Sequence, residues 1–482
     1  MTAVLAFVLP LAAGWALVAA ALATIPARPV WAARLIETSL GAGAGVAISS
    51  MAFFLLTLGG LASPAAILSF NAALAAAGLF AFWRTRGLRD AKPLEPAPPS
   101  KDPAPSKPAA PSAFRWNWLL ALALAAGFAL VLYGLVSVSA ASPFGEWDAW
   151  SIWNLRAKFM AGAGGAWRGA LSSLPDKAGM HPDYPLLLSG FIGMVWKAAG
   201  ETPAWVPQVT AFLFLSIVAS LVAGALAVLR GATAALLAGL VLLANTSFLF
   251  FATMQYADLP VGFYVLASLA LLFAAESAPA ALALSGAFAS FAAWTKNEGA
   301  AFALFLAVAI LATNRRAIAC FLAGAAPGLL LVVSFKLFLA PPSEPLFHQT
   351  VAQLAHKLAD PSRYLQIGKA LATEVWHLGL PWSHPLLLLA ILAVALRFRI
   401  DPAGARAWRA AAIALGLAFA ADLAVYLITP SDLAWHLQTS LSRLCGQLWP
   451  SFLLLAFLAL DVPCAAAPKP AAKPLRRGQH RS

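Results

Sequence analysis

Long apolar stretches follow one another from end to end of this sequence, about fourteen of them, each near the 17–25 residues that a helix needs to cross a bilayer. Inside lipid, backbone N–H and C=O groups must be paired within the segment or within a closed barrel. Repetition of such stretches therefore commits the chain to an all-α, polytopic membrane fold. Composition agrees, with 61% of the 482 residues hydrophobic and only 11% charged, and a mean hydropathy of +0.81. A soluble domain carries about a quarter charged residues. A soluble enzyme, a secreted disulfide scaffold and a disordered tail protein are thereby excluded, as is an outer-membrane barrel, whose strands alternate over short segments.

Charge sets the expected orientation. Lys and Arg total 32 against 19 Asp and Glu, a net charge of +13, but much of the excess sits in two places. Residues 84–116 form a Pro/Lys-rich linker (PLEPAPPSKDPAPSKPAAPS within it), and residues 463–482 form a basic tail with no acid after Asp461. Short basic segments beside spans mark the cytoplasmic side, so both are placed inside and nucleic acid is not expected as a partner. The linker separates an N-terminal three-span unit, 1–83, from a larger unit, 117–462. Residues 1–23 lack the basic start of a signal peptide and read as the first span. Cys320, Cys445 and Cys464 have neither metal-site nor disulfide-framework spacing.

Counting outward from the linker and backward from the tail puts 141–184, Tyr256–Asp258, Thr295–Gly299, 341–383 and the SDLAWHLQTSLSR loop on the outer face. Asn314–Arg316 and the loop with Arg397, Arg399, Arg406 and Arg409 fall inside. The two counts agree only if one of the apolar segments 185–199, 207–229 and 231–252 does not cross. The shortest, 185–199, is expected to dip into the membrane or lie against it, leaving about thirteen true spans.

Nearly all the unusual polar residues then share the outer face, which suits a reaction there better than a path through the bilayer. In GEWDAWSIWNLRAKF, Trp147, Trp150 and Trp153 are spaced by three and would form one aromatic stripe on a juxtamembrane helix. A carboxylate beside them, Asp148 or Glu146, is placed to act as general base on a hydroxyl at the membrane surface, although an interfacial anchor accounts for the same residues. His181, Asp183 and Tyr184 in HPDYP cap a helix or, for the His and Asp, hold a divalent metal. Asp258 heads a helix, and Lys296 and Glu298 in TKNEG are either a paired turn or a phosphate contact. His436 and Arg443 are seven residues apart, two helical turns, and share a helix face; arginine offers phosphate a bidentate fork. Asp422 lies inside a span, where an ionisable group is costly and faces the protein interior.

The order of these motifs, through YADLPVGFYVLASLALL and AAWTKNEGAAFALFL to DLAWHLQTSLSRLCGQLWP, resembles the GT-C superfamily of integral membrane glycosyltransferases. The likeness covers roughly 117–460 and is nearest to bacterial relatives of the dolichyl-phosphate-mannose protein mannosyltransferases and of the aminoarabinose transferases that modify lipid A. The resemblance implies a polyprenyl-phosphate sugar donor, an inverting transfer at the periplasmic face of a bacterial inner membrane, and a glycan, lipid or protein acceptor. It implies Asp148 as the base, with Glu146 as alternate, and Arg443, His436 and Lys296 as contacts of the donor phosphate. Asp258 matches an acidic position at the head of a later span. The first loop lacks the adjacent Asp-Glu pair of the protein mannosyltransferases, so the acceptor stays open. The competing readings are a transporter or lipid-linked sugar flippase, and an oligosaccharide ligase or polymerase that relies on the Arg/His pair.

Overall fold

The computed structural model describes residues 1–25, 29–90, 113–172, 181–275, 278–342 and 349–462. Most of the Pro-rich linker and all of the basic tail lie outside the described residues. Ala and Leu, the strongest helix formers, dominate what remains, and the described chain is helical almost throughout. A single backbone bridge, Phe398 to Leu460, is the nearest approach to a strand among the described residues.

Three long helices open the chain, α1 (Thr2–Ala21), α2 (Val30–Leu58) and α3 (Pro64–Asp90), and a fourth, α4 (Ala113–Ala141), follows the linker. A π-helical turn (Ala149–Trp153) leads into α5 (Asn154–Ala161), and a 3-10 turn (Ala166–Leu171) comes next. Then come α6 (Leu187–Ala199), α7 (Trp205–Arg230), α8 (Ala232–Ala244), α9 (Thr246–Met254), α10 (Asp258–Ala274), α11 (Pro279–Thr295), α12 (Asn297–Thr313) and α13 (Ile318–Phe338). The chain closes with α14 (Val351–Ala359), α15 (Pro361–His377), α16 (Pro385–Leu396), α17 (Ala405–Ile428) and α18 (Leu433–Leu458).

Among the described residues eight helices are long and apolar enough to cross a membrane, or nine if α8 and α9 count as one broken span. The chain is thus a multi-pass helical membrane protein. The stretch 231–252, expected as one continuous span, is bent by 70° between α8 and α9. Asn245 is the cause: its backbone is extended and its side chain accepts from the Phe248 N–H, so it ends one helix and caps the next.

α6 is the segment expected to dip or lie against the membrane. Its 13 residues give about 20 Å of helix, short of a bilayer core of about 30 Å. Leu187 through Trp196 are all buried, packed against α1, α2 and α5, so α6 lies within the protein rather than along a lipid surface. One contiguous core runs from Ala3 to Val462. The first helices belong to it: Gly14 of α1 lies against Gly41 and Gly45 of α2, where any side chain would collide with backbone. α2 in turn accepts the Tyr264 hydroxyl at the Gly43 carbonyl, 2.9 Å away. A smaller core joins α15 to α17 and α18 through Ile367, Tyr426 and Leu437. There Arg363 donates to the Tyr426 and Leu427 carbonyls at 2.8 and 2.9 Å, a cation on the C-terminal end of α17.

Candidate active site at one end of the bundle

Four separate segments converge at the head of α10. The first is the loop after α4. Gly145, at φ +76, has no room for a side chain, because a Cβ would lie 2.4 Å from the Met254 carbonyl. Glu146 N–H donates to that carbonyl at 3.2 Å, and the Asp148 N–H donates to the Tyr256 hydroxyl at 3.4 Å. The loop is thereby clamped onto the turn that precedes α10. The second segment is that turn with Asp258 at its end. The third is the junction of α11 and α12, whose sharpness depends on Gly299: a Cβ there would sit 2.0 Å from the Ala292 carbonyl. The fourth is α18, which meets α10 where Gly262 lies against the Gln447 backbone.

The side chains form a chain of alternating charge. Arg443 Nη1 donates to Asp148 Oδ2 at 2.6 Å, while its Nε and Nη2 donate to Asp258 Oδ2 at 3.2 and 3.1 Å. Asp258 Oδ1 accepts from Gln447 Nε2 at 2.6 Å and from Lys296 Nζ at 3.2 Å. Lys296 also pairs with Glu298 at 2.9 Å. Three carboxylates thus face two cations, which satisfies the rule that buried charges are paired. The guanidinium carbon of Arg443 lies 4.5 Å from the Tyr256 ring centroid, a cation–π contact. Burial first, and then the Asp148 carboxylate, push the Tyr256 phenol up to about 12, so it is neutral. The Asp258 side chain is fully buried, whereas those of Asp148 and Arg443 keep 23% and 17% of their exposure. The cluster is sealed at Asp258 and open at Asp148.

A second cluster adjoins the first. Asp183 accepts from Lys336 at 3.3 Å and from Asn297 Nδ2 at 2.9 Å. Arg156, fully buried, donates to the carbonyls of Ala170 (3.1 Å), Pro182 (3.4 Å) and Tyr184 (2.7 Å). Burial pushes this guanidinium down to about 10, against the pull of Asp183. The Tyr184 ring stacks between Trp153 (5.8 Å) and His181 (4.8 Å). His181 turns the chain at φ +44, a conformation uncommon outside glycine.

The structure thus brings Asp148, Asp258, Lys296, Glu298 and Arg443 together. It leaves other sequence candidates elsewhere. Glu146 has no side-chain ion pair or hydrogen bond among the described residues. His436 bonds Thr429 at 2.9 Å and packs on the Tyr426 ring rather than joining Arg443. Asp183, weighed as a metal ligand beside His181, holds a lysine and an amide, and no group of three metal-ligating side chains occurs among the described residues. Asp422 faces a small cavity that Glu298 and Gln447 also line. The expected tryptophan stripe is split: Trp147 and Trp150 are exposed and meet edge to face at 4.4 Å, while Trp153 is buried. The cause is the π-turn over 149–153, whose i→i+5 winding breaks the spacing of three. Tyr256, Gln447, Arg156, Lys336 and Asn297 were not among the sequence candidates. Gln447 follows Arg443 by four, one helical turn, and Lys336 is a lone cation near the end of an apolar helix; these were the available signals. No family model, curated protein or solved structure matches the chain.

Proposed function

We propose that the chain is a GT-C-type glycosyltransferase of a bacterial inner membrane, moving a sugar from a polyprenyl-phosphate donor to an acceptor at the periplasmic face. One observation carries the reading: Asp148, Asp258, Lys296 and Arg443, 295 residues apart at the extremes, meet at one end of the bundle with Asp148 on the open side. A carboxylate beside a guanidinium is the pairing that this transfer requires, one group to take a proton and one to hold a departing phosphate. In this reading α10, α11, α12 and α16 also cross, shorter than the nine longer or broken spans, giving thirteen crossings; α16 is no longer than α6 but presents most of its residues outward, whereas α6 is enclosed by the protein.

The chemistry balances as a direct displacement. Asp148 takes the proton of an acceptor hydroxyl, and the oxygen attacks the anomeric carbon. The bond from that carbon to the phosphate oxygen breaks, and the lipid phosphate leaves with the electron pair. Arg443 stabilises its charge, with Lys296 behind it. Inversion at the anomeric carbon follows from a single displacement. Asp258 and Gln447 hold the guanidinium in place. His436, bonded to Thr429, has no part in this step.

The test is transfer in nanodiscs with radiolabelled polyprenyl-phosphate sugar and, in parallel, the nucleotide sugar. Acceptor membranes come from a strain without the protein. Label moving from the lipid donor alone is expected. Label moving from the nucleotide sugar, or lipid-linked sugar crossing proteoliposomes without transfer, would replace the reading with a nucleotide-sugar enzyme or a flippase.

A further inference from the structure

Arg443 is already engaged. Nη1 is held by Asp148 at 2.6 Å, and Nε with Nη2 is held by Asp258 at 3.2 and 3.1 Å. A guanidinium presents its donors as a rigid planar fork. The edges used here by two carboxylates are the edges that a phosphate would take in a bidentate contact. With Asp258 on Nε and Nη2, a phosphate taking the Nη1–Nη2 edge in bidentate fashion competes with Asp148 for Nη1.

The two aspartates differ in what holds them. Asp258 is fully buried, and its other oxygen accepts from Lys296 at 3.2 Å and Gln447 at 2.6 Å. Moving it would strand the Gln447 amide in the protein interior and leave Lys296 to Glu298 alone. Among the described residues Asp148 makes a single side-chain bond, to Arg443; it keeps 23% of its side-chain exposure and stands on the helical turn that leads into the π-turn. Its carboxylate can swing into water and leave no partner behind except the arginine, which the incoming anion then satisfies.

Resting on the glycosyltransferase reading above, we propose that the phosphate group of the lipid-linked donor, a phosphodiester that leaves as a monoester, displaces Asp148 from Arg443, so that seating the donor is what releases the base. Paired with the cation, Asp148 Oδ2 is already taken up by the Nη1 donor. Once the pair is exchanged, that oxygen is free to accept the proton of the acceptor hydroxyl. Asp148 then abstracts a proton only when a leaving group is in position. Asp258 stays and keeps the guanidinium aimed.

The exchange makes binding and catalysis move in opposite directions in one variant. Equilibrium binding of radiolabelled polyprenyl monophosphate, without sugar, is measured in nanodiscs for wild type, Asp148→Asn, Asp148→Ala and Asp258→Asn. Inorganic phosphate and unphosphorylated polyprenol are run as parallel probes, and thermal unfolding checks that each variant is folded. Both Asp148 variants are expected to bind polyprenyl monophosphate on the order of tenfold tighter than wild type, because the competing carboxylate is gone. They lose sugar transfer at the same time. Asp258→Asn should bind more weakly, and polyprenol should not distinguish the proteins. A gain for polyprenyl phosphate alone assigns the site to a lipid-borne phosphate; a gain for inorganic phosphate as well assigns it to the headgroup by itself. Unchanged or weaker binding in the Asp148 variants overturns the exchange. So does an equal gain in Asp258→Asn, which would reduce the effect to removal of negative charge. Wild-type transfer without the binding gain removes the exchange and leaves the glycosyltransferase reading standing; the gain without any transfer does the reverse.

Discussion

Two buried aspartates in this protein are built from the same parts and do different work. Asp258 and Asp183 are exposed by only 1% and 3%, and each accepts from one lysine and one side-chain amide. What differs is the arginine. Arg443 joins Asp258 to Asp148, which is partly exposed, so the first cluster ends in groups that face outward. Arg156 sits beside Asp183 but donates to three main-chain carbonyls, so the second cluster ends in backbone. A cation that reaches a partly exposed carboxylate leaves the cluster open at one end, and one that reaches carbonyls closes it as a brace. The turn between α11 and α12 ties them together, since Lys296 and Glu298 serve the first cluster and Asn297 the second.

The comparison breaks most easily at Asp258. Asp258→Asn leaves Arg443 and Lys296 without their shared counter-charge, and removing one partner of a buried ion network costs about 3–5 kcal/mol. Thermal unfolding in detergent should register that loss, and transfer should disappear with it. A variant of unchanged stability would mean that water already reaches the carboxylate.

Arg156→Met comes next. It keeps much of the apolar stem but removes the donors for the Ala170, Pro182 and Tyr184 carbonyls. Buried acceptors left unpaired cost about 1–3 kcal/mol each, so a loss of roughly 3 kcal/mol is expected. The kcat of the folded fraction should fall by less than the roughly 10²-fold that marks loss of a general base. A collapse of kcat at unchanged stability would move the second cluster from brace to site.

These expectations also locate what the sequence could and could not tell. The helical membrane fold was legible because apolar length and backbone pairing in lipid leave few alternatives. The gathering of Asp148, Asp258, Lys296 and Arg443 at one end follows from counting crossings. The pairing itself does not: Asp148 and Arg443 are 295 positions apart, and only packing through contacts such as Gly262 against Gln447 sets their distance. His436 shows the limit of periodicity. Seven residues return a side chain to the same face of α18 but about 10 Å along it, and there Thr429 holds the imidazole. The Trp153 position was unreadable for another reason, since nothing in AWSIW announces a π-turn.

Asp183→Asn is a milder change than either. The amide can still accept from Asn297, and the lost pair with Lys336 is partly screened because that lysine side chain is 30% exposed. A cost of about 1 kcal/mol is expected, with kcat and KM near wild type. A large loss of transfer would make the Asp183 carboxylate a participant rather than part of the brace.

Asp422 supplies the smallest effect and the sharpest contrast, because it is half-buried and lacks the partners. It lies within α17, with no hydrogen bond or ion pair among the described residues. It borders a cavity of about 20 Å³ lined also by Glu298 and Gln447, room for one water. Glu298 Oε2, at the same place, is buried without a hydrogen-bond partner among the described residues. If a water links these groups, Asp422→Asn preserves a polar contact for it and should change stability by less than about 1 kcal/mol. Asp422→Leu would expel the water and leave Glu298 unsatisfied, costing about 1–3 kcal/mol. The measurement is the difference between the two variants in thermal unfolding, because the charge is removed in both. A leucine variant more stable than the asparagine variant would mean that the cavity is dry and that Asp422 is an uncompensated cost, retained for something other than folding.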